Sequence, residues 1–177
     1  MKKTLFVLFL LVIPVLAQGI TLVGIGPRAG YHKSADAEEG SLMFGGALRL
    51  KLGALAVEGA IDYRSEEYEN GAVKVKQWPV SASVLFYPLP IVYGLAGAGW
   101  YNTTYEFSDQ VPGNGALEDR TEQEMGYHIG AGIELPIIKP TIAFDIRYVF
   151  LDYELGDEFK DVDANFMVYT LSLFWGF

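Results

Sequence analysis

The stretch "TIAFDIRYVFL", residues 141–151, decides the fold. Ile142, Phe144, Ile146, Tyr148 and Phe150 share one parity, and Asp145 and Arg147 take the other. A strict two-residue period marks a strand with one apolar and one polar face. The same period runs through most of the chain and defines seven further segments. Ile20 to His32 sets Val23, Ile25, Ala29 and Tyr31 against Gly24, Gly26, Arg28 and Gly30. Leu42 to Leu52 sets five leucine and phenylalanine positions against Arg49 and Lys51. Leu55 to Arg64 sets Leu55, Val57, Ile61 and Tyr63 against Glu58, Asp62 and Arg64. Val73 to Tyr87 sets Trp78, Val80, Val84 and Phe86 against Gln77, Ser81 and Ser83. Val92 to Phe107 is crowded with Gly and Ala; it reads as Tyr93, Leu95, Tyr101 and Tyr105 against Asn102, Thr104 and Glu106. Gln123 to Leu135 sets Met125, Tyr127, Ile129, Ile133 and Leu135 against Glu124, His128 and Glu134. Ala164 to Phe177 completes the set with Leu171, Leu173, Trp175 and Phe177 against Thr170, Ser172 and Gly176, while Phe174 breaks its pattern.

Composition bounds the function. The chain of 177 residues has room for one domain. Its 13 Lys and Arg against 22 Asp and Glu give a formal charge of −9, which argues against a nucleic-acid partner. It has no cysteine, hence no disulfide framework and no thiol nucleophile, and its two histidines argue against a His-rich metal site. Lys2 and Lys3, the apolar run Leu5 to Leu16 and the small-residue site "VLA" (15–17) read as a cleavable signal peptide over residues 1–17. The run is too short for a spanning helix. Residues 18–177 then form the domain.

The polar face identifies the solvent on the apolar one. Aromatics gather toward the strand ends of the apolar face: Tyr31, Tyr63, Trp78 and Tyr127 at one end, Phe86, Tyr93, Trp175 and Phe177 at the other. Two such girdles mark a transmembrane barrel, with lipid outside and polar groups inside. Each segment reaches the length of about 9–11 residues that crosses a membrane. Short links at 53–54, 88–91 and 136–140 alternate with long polar loops at 33–41, 65–72, 108–122 and 152–163, the pattern of periplasmic turns and external loops. The expected fold is an all-β, eight-stranded antiparallel up-and-down transmembrane β-barrel, closed by pairing of its last and first strands because an open edge in lipid leaves backbone groups unpaired. Pro27 and Pro79 fall inside strands, where each removes a ladder bond; a bulge or a strand end is expected there.

With these features on the page, "FWGF" (174–177), "GPRAGYH" (26–32), "EMGYHIGAGIEL" (124–135) and "IAFDIRYVFLDYE" (142–154) make the chain resemble the small outer-membrane β-barrel family of the OmpA/OmpX type. The resemblance implies the bacterial outer membrane, contact with lipid and lipopolysaccharide, and a C-terminal aromatic signal, Trp175 and Phe177, read by the barrel-assembly machinery. It implies no cofactor. OmpA-type proteins often carry a peptidoglycan-binding domain after the barrel; with the chain stopping at Phe177, that role is not expected here.

Eleven ionisable residues take the inward parity: Arg28, Arg49, Lys51, Glu58, Asp62, Arg64, Glu124, His128, Glu134, Asp145 and Arg147. An eight-stranded bore is just wide enough for side chains to fill. The balanced charges therefore read as a network plugging the lumen, with a narrow passive pore as the alternative. Of the 22 carboxylates, 16 fall in the four long loops, a solvated surface able to meet an external partner. "DEFKDVD" (157–163) has oxygens for a divalent cation but lacks the glycine-punctuated spacing of an EF-hand loop. An enzyme is the competing class, because the family includes lipid A deacylases and palmitoyltransferases. His32-Lys33-Ser34 has the His-Xaa-Ser spacing of the deacylase, but Ala35 stands where that motif has Asn, and the trio sits on the first strand instead of a late one. The reading is a non-catalytic, monomeric outer-membrane barrel with a structural or surface-contact role.

Overall fold

The computed structural model describes residues 22–34, 40–68, 73–107, 120–137, 140–151 and 165–176. The signal segment, most of the long loops, the acidic stretch 157–163 and Phe177 lie outside the described residues. The strands are β1 (Leu22–Ser34), β2 (Ser41–Leu52), β3 (Leu55–Tyr68), β4 (Val73–Gln77), β5 (Val80–Leu89), β6 (Val92–Phe107), β7 (Arg120–Pro136), β8 (Thr141–Leu151) and β9 (Phe166–Phe174). Each pairs antiparallel with its neighbour, and β9 returns to β1, so the sheet closes. β4 and β5 are successive halves of one strand, which makes the barrel eight-stranded. Among the described residues no helix is long and apolar enough to cross a membrane.

The two prolines interrupt ladders without shifting them. Arg64 pairs with Gln77 and Ile61 with Val80, so the register runs unbroken past Pro79. No bulge forms there; Pro79 instead accepts a bond from the Asp62 amide at 3.1 Å. Pro27 pairs with Gly46 in the continuous β1–β2 ladder. On its other side the β1–β9 ladder stops at Arg28 and resumes in the same register at the Ile25–Trp175 bridge, whose two backbone bonds are 3.0 Å. The irregularity falls elsewhere, between Phe86 and Leu89 next to the turn at Pro90. The turn at Gly53-Ala54 is a two-residue hairpin between Leu52 and Leu55, and Gly53 holds φ +67°, a value glycine takes without strain. The expected loop at 65–72 is shorter, since β3 runs to Tyr68 and β4 starts at Val73.

The parity reading fits every segment but one. Ile25, Phe44, Ile61, Val84, Tyr127 and Ile129 all project outward and are more than half exposed. Such apolar exposure around a whole barrel is stable only in hydrocarbon. In β6 the faces are reversed. Tyr93, Leu95 and Tyr101 are buried inside, and Trp100 faces out. Tyr93 therefore leaves the aromatic girdle assigned to it. A Gly- and Ala-rich strand offers little apolar contrast, and a tyrosine suits either side if its hydroxyl finds a partner.

The interior is layered. Met43, Tyr101, Val149, Leu151, Phe166 and Val168 form an apolar layer at the end that carries the long loops. Ala56, Leu85, Tyr93 and Leu95 form another toward the short turns. Between and beside them lie the buried charges. Ile146 is the sixth of eleven residues in β8 and faces lipid between the inward Asp145 and Arg147. Ile146→Arg is expected to destabilise the barrel by about 2–4 kcal/mol in lipid vesicles, the cost of Arg at the bilayer midplane. Denaturant unfolding in vesicles measures this, and an unchanged midpoint would place Ile146 away from the hydrocarbon.

Candidate functional site

The inward side chains are joined across the barrel by the strand register. Arg49 on β2 stands opposite Glu58 on β3, Glu58 opposite Ser83 on β5, Ser83 opposite Gly97 on β6, and Gly97 opposite His128 on β7. Glu58 is the centre. It faces Arg49 at 2.5 Å, Arg147 at 2.7 Å and Arg28 at 3.5 Å. Arg147 also reaches Asp145 at 2.6 Å, Arg28 faces Asp62 at 3.4 Å, and Arg49 extends to Glu134 at 2.6 Å. Lys51 completes the group by pairing with Glu134. Four basic side chains (Arg28, Arg49, Lys51, Arg147) thus meet four acidic ones (Glu58, Asp62, Glu134, Asp145). All but Lys51 are at least nine-tenths buried. Burial of charge is tolerated only with pairing and further hydrogen bonds. Those bonds come from Tyr87 to Glu134 at 2.7 Å and from Tyr93 to Asp145 at 3.0 Å.

Inward glycines let these groups meet across an intervening strand. Gly45 lies in register between Arg28 and Asp62, Gly132 between Tyr93 and Asp145, and Gly97 between Ser83 and His128. A Cβ at Gly45 would sit 2.4 Å from Asp62 Oδ1, at Gly132 2.6 Å from the Tyr93 hydroxyl, and at Gly97 2.6 Å from His128 Nε2. Without these gaps the bonded partners, two strands apart, would be held away from each other.

The remaining sequence candidates are placed differently. Arg64 turns to His32 Nδ1 at 2.7 Å, to Gln77 at 2.7 Å and to Ser41 at 2.9 Å. His128 Nε2 meets Ser83 Oγ at 2.8 Å. Glu124 is only half-buried, and its side chain makes no ion pair or hydrogen bond among the described residues. Trp175 faces outward at the turn end of the closure seam. Residues absent from the candidate set also enter. Ser83, Tyr87, Tyr93 and His32 all bond to network charges or to Arg64. Phe174 is buried with its ring 4.5 Å from the Arg49 guanidinium carbon, and Tyr93 packs on the same group at 4.9 Å. The parity break at Phe174 was the only sequence signal for that contact. Among the described residues no group of three or more His, Asp or Glu is placed to hold a metal ion.

A closed barrel with an apolar girdle and a charged interior agrees with the comparisons. The model of the outer membrane protein beta-barrel domain matches residues 4–177. The chain belongs to this family. It is an integral protein of the bacterial outer membrane. Neisserial surface protein A is similar in structure, with a TM-score of 0.62 at 11% identity, covering 90% of this chain and 100% of that one. Ail of Yersinia pestis, in complex with the heparin analogue sucrose octasulfate, has a TM-score of 0.52 at 20% identity, covering 88% and 97%. The N-terminal barrel domain of Pseudomonas aeruginosa OprF has a TM-score of 0.54 at 13% identity, covering 88% and 100%. At these identities the likeness is one of fold. No curated protein matches the sequence.

Proposed function

We propose that this outer-membrane barrel works without catalysis, as a monomeric structural or surface-contact protein whose interior is closed by its charge network. The observation that carries the reading is Glu58, 1% exposed and facing three arginines. A passing ion would have to break that group and desolvate its members, and separating one partner of a buried pair costs about 3–5 kcal/mol. The interior also argues against esterase chemistry. Ser83 and His128 form a serine–histidine pair, but both lie inside the barrel at 3% and 2% exposure, walled off from the acyl chains of the bilayer. Among the described residues no carboxylate bonds His128 Nδ1 to orient it for base catalysis.

The long loops are read as external and the short turns as periplasmic. Three of the 16 loop carboxylates, Glu66, Glu67 and Glu122, belong to strand extensions of β3 and β7. The acidic balance disfavours a sulfated polyanion of the kind Ail binds and favours a cationic partner, or one bridged by divalent ions next to lipopolysaccharide. Residues 1–17 act as the export signal, and Trp175 with Phe177 as the address read by the assembly machinery. Two measurements test the functional reading together. The lipid A mass spectrum is expected to be identical with and without the protein, and planar bilayers are expected to show no unitary conductance. A lost or gained acyl chain would make the protein an enzyme, and steady conductance steps would make it a pore.

A further inference from the structure

We propose that a groove on the lipid-facing wall of β1, β2, β3 and β5 seats one acyl chain of a membrane phospholipid and holds it longer than the lipid around the rest of the barrel is held. The groove encloses about 630 Å³, a size within the roughly 300–1,000 Å³ of ordinary ligand clefts. Its floor is Pro27, Gly46 and Gly59. Pro27 pairs with Gly46, and Gly59 lies one strand further on, opposite Leu48. Two ladder pairs form the walls: Ile25 with Leu48 toward the short turns, and Ile61 with Val80 toward the long loops. All four wall side chains are exposed on the outer face.

The floor glycines answer to nothing inside the chain. A Cβ at Gly59 would meet no atom within 4 Å, and one at Gly46 only the Gly26 carbonyl oxygen at 3.6 Å, an ordinary contact. The inward Gly45, Gly97 and Gly132 are the opposite case, since a Cβ at each would clash. A strand glycine loses more freedom on folding than other residues and packs nothing, so where no internal neighbour demands it, it marks a close approach from outside. Depth fixes what approaches. On β1 the floor lies turnward of Tyr31 and on β3 turnward of Tyr63, both residues of the aromatic girdle, so the groove is continuous with the apolar wall that meets the bilayer. No ionisable side chain lines it among the described residues, which suits hydrocarbon and excludes a headgroup. A chain on a flat face touches protein on one side; here a floor and two walls touch it, and each carbon contact adds its own dispersion gain. This inference rests on the membrane location alone, and neither the closure of the lumen nor the absence of catalysis enters it.

Native mass spectrometry tests it, on the barrel refolded into dimyristoyl phosphatidylcholine vesicles and released into detergent. The wild type is expected to retain one phospholipid per barrel. Gly59→Leu fills the floor, and its Cβ meets none of the chain's own atoms within 4 Å, so it should lose that lipid while the unheated gel mobility of the folded form is kept. Gly46→Leu is the second filled variant and suffices if Gly59→Leu does not fold. Gly94→Leu is the control. Gly94 is exposed on β6 outside the groove, and a Cβ there has only the Gly130 carbonyl oxygen at 4.0 Å, so this variant should keep the lipid. The seat would be overturned by a wild type that retains no lipid, by retention in both filled variants, or by equal loss in Gly94→Leu. A two-barrel mass that the filled variants abolish would also overturn it, and would assign the groove to a second copy of the chain.

Discussion

Glu58→Ala is expected to be the most damaging single substitution in the barrel. It removes the carboxylate shared by Arg28, Arg49 and Arg147, leaving the network with four basic groups, three of them fully buried, against three acidic ones. Removing one partner of a buried pair costs about 3–5 kcal/mol, and here three partners lose it at once. Glu58→Gln keeps the shape and two bonding atoms but not the charge, and should fall between wild type and Glu58→Ala. Glu124→Ala is the matched control. Glu124 has the same inward parity in the sequence but no bonded partner among the described residues, so its loss should lie within about 0.5 kcal/mol. Denaturant unfolding, followed by the mobility of the unheated protein in gels, reads all three. Equal shifts for Glu58→Ala and Glu124→Ala would mean that the interior tolerates unpaired charge through solvent.

Gly26→Val is expected to prevent closure of the barrel. A Cβ at Gly26 would lie 1.6 Å from the Leu173 carbonyl oxygen and 2.8 Å from its carbon, so backbone of the last strand would have to retreat. This is also the weakest part of the seam, where Pro27 donates nothing and the Ile25–Trp175 bridge alone continues the ladder. Each backbone group unpaired in hydrocarbon costs several kcal/mol, so a small retreat multiplies. Gly59→Ala is the control, because a Cβ there meets nothing within 4 Å. Refolding yield into vesicles should fall steeply for Gly26→Val and stay at wild-type level for Gly59→Ala. A Gly26→Val protein that refolds as well as the wild type would show that the seam can rearrange.

The architecture was legible in the sequence because a barrel in lipid writes its solvent into every second residue. In "TIAFDIRYVFL" no alternative register keeps both Asp145 and Arg147 away from hydrocarbon, so one strand fixes inside and outside for itself. The strand count, the closure and the membrane location follow from repeating that test. β6 escaped it for a physical reason. Gly94, Ala96, Gly97, Ala98 and Gly99 carry no contrast, and Tyr93 and Tyr101 are amphipathic, so neither parity costs enough to be excluded locally. Only the third dimension decides, by placing Asp145 within 3.0 Å of the Tyr93 hydroxyl.

The interior charges divide the same way. Parity alone determined that Glu58, Asp145 and Arg147 face inward. It left open which of them would touch, because partners two strands apart depend on register and on the inward glycines between them. Gly45, Gly97 and Gly132 have no side chain to signal a role in the sequence; in the fold each sits in register between two groups that pair. Phe174 was an anomaly of pattern until the Arg49 guanidinium was found packed against its ring. The one-dimensional period carries the face of each residue, since solvent acts on every residue separately. Pairing is a relation between residues, and only the closed sheet supplies it.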